Sequence, residues 1–295
     1  FFTRKGRCYW LKCYEIPEGD KNFKGRAIQN MLNIEPDDSV NAMLRLRGLN
    51  DEEFVNSHYV VFATKNGTIK KTCLEAYSRP RTNGVNAINI VEGDEVVDVR
   101  LTNGKNEIIL ANRNGRAVRF DENTVRSMGR VSTGVRGMQL DGDDDQVVGM
   151  IIVNNAETET VMVVSENGYG KRSQVEDYRK TNRGGKGVKT FSITDKTGRL
   201  VAIKNVTDDN DLMIINKSGI AIRLAVSDCR VMGRATQGVR LINLSKKNDV
   251  IASVCKVMSS ELEAKLADDN SATEPEATEA TEATEAKETN PENEK

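Results

Sequence analysis

The chain has 295 residues, with 43 basic and 44 acidic side chains and one histidine, but the charge is unevenly divided. Residues 259–295 hold 12 acids and 3 bases, which leaves 40 bases against 32 acids in the first 258, a basic body with an acidic tail. No apolar stretch is long enough to cross a bilayer and no secretory signal is present; the five cysteines (Cys8, Cys13, Cys73, Cys229, Cys255) lack paired spacing, and any histidine triad or zinc site would have to be built around His58 alone. This profile predicts a cytoplasmic protein with reduced thiols and no membrane partner.

One motif recurs along the chain. Gly6, Gly67, Gly115, Gly168 and Gly219 each sit in a hairpin-turn sequence, and each is followed 17 to 19 residues later by a second glycine: Gly25, Gly84, Gly134, Gly187 and Gly238. The hairpin glycines are 61, 48, 53 and 51 residues apart. A unit of about that length suits a four-stranded propeller-type blade better than a helical repeat. The first hairpin opens on Phe1-Phe2-Thr3-Arg4, the end of a strand without its partners, so the array is expected to be cut at its N-terminus and its first blade incomplete.

The second unit shows the pattern in full. Tyr59 to Thr64 and Ile69 to Thr72 flank Asn66-Gly67, and Asn114-Gly115 and Asn167-Gly168 repeat the signal. Such pairs predict two-residue type I′ turns, where both central residues need positive φ. After each second glycine, apolar residues fall at the fourth and sixth places (Ile88 and Ile90, Met138 and Leu140, Phe191 and Ile193, Ile242 and Leu244), which is a half-buried strand. A polar loop and another apolar strand follow, as in Asp141–Gln146 and Val147–Val153. No unit carries a long amphipathic helix, so the fold class is all-β. After the last hairpin come two further strands, Val239–Leu244 and Val250–Val257, and then the tail, whose Ala-Thr-Glu triplets and lack of apolar residues predict disorder over 259–295.

Cations recur in register with the unit. Four residues after the hairpin glycine stand Trp10, Lys71, Arg119, Arg172 and Arg223. Four before the second glycine stand Lys21, Pro80 (with Arg81 beside it), Arg130, Arg183 and Arg234, and two after it Ala27, Asn86, Arg136, Lys189 and Arg240. Positive charge with the period of the blade suits a partner whose negative charge also repeats, and the nucleic-acid backbone is the obvious one. Solvated strand and loop cations are the plainer reading of any single residue. Within Arg183-Gly184-Gly185-Lys186-Gly187, glycines let backbone N–H groups approach an anion while Arg183 and Lys186 add charge; a simple inter-blade turn is the alternative. Asp141, Asp143, Asp144 and Asp145 lack the offsets of a calcium loop and read as a solvated turn, and Tyr9, Trp10, Tyr77, Tyr169 and Tyr178 as packing between blades.

Three kinds of segment carry a family resemblance. They are the loop Asn182–Gly187, the twice-occurring Met-Gly-Arg (Met128–Arg130 and Met232–Arg234) leading to Gly-Val-Arg, and the opening Lys5-Gly6-Arg7-x-Tyr9-x-Leu11-Lys12 with Ile16-Pro17-Glu18 and Lys24-Gly25-Arg26. Together, over residues 1–258, they resemble the C-terminal domain of the DNA gyrase A chain, from the bacterial type IIA topoisomerases. The resemblance implies a six-bladed β-pinwheel whose blades exchange strands and whose basic rim, including Arg26 and the columns above, wraps duplex DNA to support ATP-dependent negative supercoiling. It also implies that the chemistry lies elsewhere: no catalytic residue, cofactor or metal in this chain, ATP and Mg used by other parts, and an A2B2 heterotetramer that joins the N-terminal breakage domain of gyrase A to gyrase B. The family's box, Gln-Arg-Arg-Gly-Gly-Lys-Gly, is matched by Arg183 to Gly187, with Thr181 and Asn182 replacing its first two residues, and at a fifth-blade position. The true box is therefore expected upstream. A propeller-type protein-interaction scaffold and the equivalent C-terminal domain of topoisomerase IV remain as alternatives.

Overall fold

The computed structural model describes residues 1–19, 24–46, 48–244 and 249–259. Each repeat begins with an antiparallel hairpin. The first is β1 (Phe2–Thr3) with β2 (Arg7–Cys8), and the innermost strand of that repeat is β3 (Val40–Ala42). The second repeat supplies β4 (Tyr59–Thr64), β5 (Thr68–Cys73), β6 (Val85–Asn86) and β7 (Val96–Thr102); the third β8 (Glu107–Asn112), β9 (Arg116–Asp121), β10 (Val135–Arg136) and β11 (Val147–Val153). The fourth supplies β12 (Thr160–Ser165), β13 (Tyr169–Gln174), β14 (Val188–Lys189) and β15 (Leu200–Val206); the fifth β16 (Asn210–Asn216), β17 (Ala221–Ala225), β18 (Val239–Arg240) and β19 (Ile251–Met258).

The hairpin turns are one residue longer than the type I′ expectation. Three residues separate β4 from β5, the turn closes by Gly67 N–H donating to Thr64 O at 3.1 Å, and Gly67 takes φ of 85°. Only the glycine needs the left-handed region in this three-residue loop. The residue three before the glycine is polar in every repeat. Its side chain accepts the N–H four residues further on in four of them, from Arg7 to Thr3, Thr68 to Thr64, Arg116 to Asn112 and Ile220 to Asn216.

From the second repeat on, the third strand (β6, β10, β14, β18) leaves its own blade. It crosses back to pair with the preceding hairpin, so the sheet orders are β3-β1-β2-β6, β10-β5-β4-β7, β11-β8-β9-β14 and β15-β12-β13-β18. The fifth sheet, β17-β16-β19, has three strands among the described residues. Glycine contacts mark the difference: a Cβ on Gly67 would lie 2.6 Å from Met138 O of the crossing strand, whereas nothing comes within 4 Å of one on Gly219. Five blades are therefore present rather than the six implied by resemblance, because the sequence contains five hairpin units and each builds one sheet. The first sheet has four strands, although β1 and β2 are short, and the two strands after the last hairpin divide between the fourth and fifth sheets.

Apolar clusters lie between successive blades. Phe2, Phe62, Tyr77 and Ile88 join the first two, with the Phe2 and Phe62 rings edge to face at 5.3 Å. Val61, Ile108, Phe120 and Met138 join the second and third; Ile109, Val163, Tyr178 and Phe191 the third and fourth; Met162, Val206, Leu212 and Val254 the fourth and fifth. The one α-helix among the described residues, α1 (Glu52–Ser57), is capped by Asp51 accepting from Phe54 N–H at 3.0 Å, and it occupies part of the longest interval between hairpin glycines. Residues 1–258 form one compact unit; the second unit, from 259, lies outside the described residues except for Ser259, and with it the expectation of a disordered tail. Among the described residues no helix is long and apolar enough to cross a membrane.

Candidate nucleic-acid interface

The interface follows from the crossing segments. After the second hairpin strand the chain makes a 3-10 turn, at Leu74–Tyr77, Glu122–Thr124, Val175–Asp177 and Val226–Asp228, and then runs outside the preceding blade before pairing with it. Adjacent crossing segments are joined to one another by backbone hydrogen bonds: Asn89 N–H to Ser132 O, Gly184 N–H to Gly137 O, Gln139 N–H to Gly185 O and Ser192 N–H to Thr236 O, at 2.7 to 3.2 Å. The result is a continuous belt whose side chains are held in fixed places by main chain.

The column four places after the hairpin glycine faces inward in three repeats. There β5, β9 and β13 lie between the first hairpin strand and the crossing strand, and Lys71, Arg119 and Arg172 turn into the joint. Lys71 is 4% exposed, pairs with the buried Glu122 at 2.9 Å and lies over the Tyr59 ring. Arg119 pairs with Glu107 at 2.5 Å and donates to Val175 O and Tyr178 O of the next repeat's 3-10 turn. Arg172, 6% exposed, pairs with Asp208 at 2.7 Å and donates to Val226 O and Cys229 O. Arg223, exposed on β17 at the edge of the fifth sheet among the described residues, pairs with Asp211 and donates to Met258 O. Burial raises the Glu107 carboxyl, but hydrogen bonds from Lys180 and Arg119 outweigh it and hold the pKa below its ordinary value. Buried charge needs partners of this kind, and Lys71 and Arg172 are out of reach of an external phosphate.

The column before the second glycine anchors the belt. Arg130 donates to Ala76 O at 3.1 Å, Arg183 to Thr124 O at 2.9 Å and Arg234 to Asp177 O at 3.0 Å, each time at a 3-10 turn of the preceding repeat. Arg183 also donates to Arg136 O, and Arg234 to Lys189 O. Two residues that the sequence patterns did not single out hold the Met-Gly-Arg loops. Lys70 Nζ donates to Ala87 O at 2.6 Å and to Arg130 O, and Lys171 Nζ to Gly233 O at 2.8 Å and to Arg234 O. In the repeat facing Asn182-Arg183 the same place is taken by Val118. That correlation between lysine and loop type is the signal that finds them.

The column after the second glycine does face solvent. Arg136 and Lys189 are exposed, as is Arg240, which donates to Tyr169 Oη at 2.9 and 3.1 Å with its guanidinium over that ring. Arg26 and Arg81 are exposed too, and Lys21 lies outside the described residues. Lys186 is exposed but pairs with Asp141 at 2.9 Å, and that hydrogen bond holds the Asp141 carboxyl below its ordinary pKa. Gly184 and Gly185 carry belt hydrogen bonds, and a Cβ on Gly187 would lie 2.3 Å from Ala117 O, so the glycine loop serves the inter-blade turn. The aspartate loop is closed from within by Asp145, which accepts from Asn112, Asn114, Asp141 and Gln146.

A family model described as DNA gyrase C-terminal domain, beta-propeller, matches this chain five times, at residues 1–47, 58–103, 106–154, 159–207 and 210–255. The chain belongs to that family. The DNA gyrase A protein of Staphylococcus aureus strain NCTC 8325 is 42% identical over 273 residues, covering 92% of this chain and 30% of the relative. Gyrase A of strain MRSA252 is 44% identical over 257 residues, covering 87% and 28%. The chain thus spans less than a third of the length of these relatives. Among solved structures, the C-terminal domain of DNA topoisomerase IV is similar with a TM-score of 0.78 at 27% identity, over 91% of this chain and 82% of that one. A DNA gyrase A C-terminal domain has a TM-score of 0.74 at 24% identity, over 87% and 81%, a likeness of fold. The gyrase-type domain therefore has the propeller-like, strand-exchanged architecture that its five family matches mark out blade by blade.

Proposed function

We propose that this domain is a non-catalytic DNA-binding module of a gyrase, bending duplex DNA along the belt. The observation that carries the reading is the row Arg136, Lys189 and Arg240, exposed at equivalent positions of successive crossing strands. A row that repeats with the blade addresses phosphates rather than base edges, so sequence preference comes from DNA bendability. Smooth bending of a 20–30 base-pair site through 40 to 90° costs roughly 1–6 kcal/mol, which several phosphate contacts offset. In the parent enzyme the bent duplex supports negative supercoiling driven by ATP and Mg bound elsewhere, in a cytoplasmic A2B2 heterotetramer that contains gyrase B and the breakage domain.

Filter binding of a linear duplex over a salt series tests this. Each neutralised phosphate contributes about −0.9 to the slope of log affinity against log salt, so exchanging Arg136, Lys189 and Arg240 together for glutamine should make the slope shallower by about 2.7. A wild-type domain whose binding ignores salt would sink the reading. The likeness to the topoisomerase IV domain favours, as a second reading, a parent enzyme that decatenates. Supercoiling against decatenation by the reconstituted enzyme separates the two.

A further inference from the structure

Resting on the DNA-binding reading above, we infer that a second row of arginines, Arg79, Arg126, Arg179 and Arg230, contacts the phosphates of the same duplex, one at each inter-blade joint. Each is the first residue beyond the cap of a 3-10 turn. In three of the four turns the cap residue is extended and buried, Val125 at 1%, Tyr178 at 0% and Cys229 at 6% exposure. Successive side chains of an extended backbone point to opposite sides, so burying the cap turns the following arginine outward. All four arginines are exposed.

Their neighbours fix them at the joint. The residues after three of them bridge the preceding blade's hairpin strand, Ser127 to Lys71, Lys180 to Arg119 and Val231 to Arg172. Ten residues further on, the same crossing segments end in Arg136, Lys189 and Arg240. Each of these three segments therefore begins and ends with an outward cation; in the second repeat, Arg79 opens a shorter segment in which Asn86 takes the closing place. The arginines also differ from the two cation columns that the fold consumes. None of their side chains forms an ion pair or hydrogen bond with another described residue, whereas Lys71, Arg119, Arg172 and Arg183 do. Four exposed arginines at equivalent joints thus keep their guanidinium groups without a polar partner among the described residues, and a guanidinium is suited to phosphate by shape as well as charge.

The test uses the whole chain and a linear duplex. Exchanging Arg79, Arg126, Arg179 and Arg230 together for glutamine should make the salt slope shallower by about 3.6, four contacts at about 0.9 each, with circular dichroism and thermal midpoint unchanged. The corresponding lysine variant should restore the slope. If the wild type binds and the folded glutamine variant keeps its slope, this row is not a contact and the inference falls, while the DNA-binding reading stands. If the wild type itself does not bind, the reading falls first. Should the quadruple variant not fold, R126Q and R230Q are measured singly: a loss of about 0.9 from the slope supports the row and an unchanged slope overturns it.

Discussion

Lys70 shows how one side chain binds a blade together at the expense of its own charge. It is wholly buried and donates to two carbonyls with no carboxylate beside it, and burial together with the nearby Arg130 guanidinium lowers its pKa from 10.5 to about 7. Between those values the unfolded chain binds the proton and the folded one does not, so stability rises with pH through this window and levels off below about 7. Lys171, lowered to about 8, acts in the same sense. The expected outcome is that urea midpoints of the wild type climb from pH 7 to pH 9 and that K70M flattens the climb. An equal climb in the variant would assign the effect to other groups. Tyr77, which shares Ala87 O with Lys70, titrates above this range because burial raises its hydroxyl.

At the level of elements, the hairpin strand and the crossing strand treat arginine in opposite ways. Arg172→Glu would set a carboxylate in a buried site facing Val226 O and the Asp208 carboxylate, and a buried charge without a partner costs on the order of 3 kcal/mol. Arg240→Glu loses a part-buried contact with Tyr169 Oη but leaves the new side chain at an exposed position, so its midpoint should fall less than that of the Arg172 variant while DNA affinity falls. Denaturation alongside duplex titration reads both, and a stable, weakly binding Arg172 variant would contradict this assignment. The sequence made the repeats legible because glycine spacing, alternation and polar turn residues act locally. It did not show which cation column faces solvent. Alternation assigns a face only when one side of a strand is open, and the exchanged strand closes over β5, β9 and β13, so a lysine or arginine there reads like any surface cation until its partner in another repeat is known. The arginine row escaped for a simpler reason: counted back from the second glycine it breaks at Arg79, because the second repeat is shorter there, whereas counted from the hairpin glycine it holds to within one residue. Helix α1 was invisible because six residues are too few for a periodicity of 3.6 to register.

For the whole molecule, the distribution of charge has a consequence for DNA binding. Residues 259–295 have a net charge of −9 against +8 for the body, counting 12 acids and 3 bases in one and 40 bases and 32 acids in the other. A tethered polyanion competes with DNA at high effective concentration, while screening beyond about 8–10 Å at physiological salt confines the effect to close approach. Deleting residues 259–295 should therefore tighten duplex binding, and more so at low salt. Equal affinity at low ionic strength with and without the segment would show that it does not compete.

The backward handover of β6, β10, β14 and β18 also sets a timetable for synthesis. Val135 completes the second blade by pairing with Ile69, 66 residues earlier in the chain. At about 5–20 residues per second, the edge of β5 waits roughly 3–13 s on the ribosome before its cover emerges. Each newborn blade is finished by its successor, so the nascent protein carries one open seam that moves along the chain as translation proceeds, and a pause between hairpins prolongs that exposure rather than giving the finished part time to close.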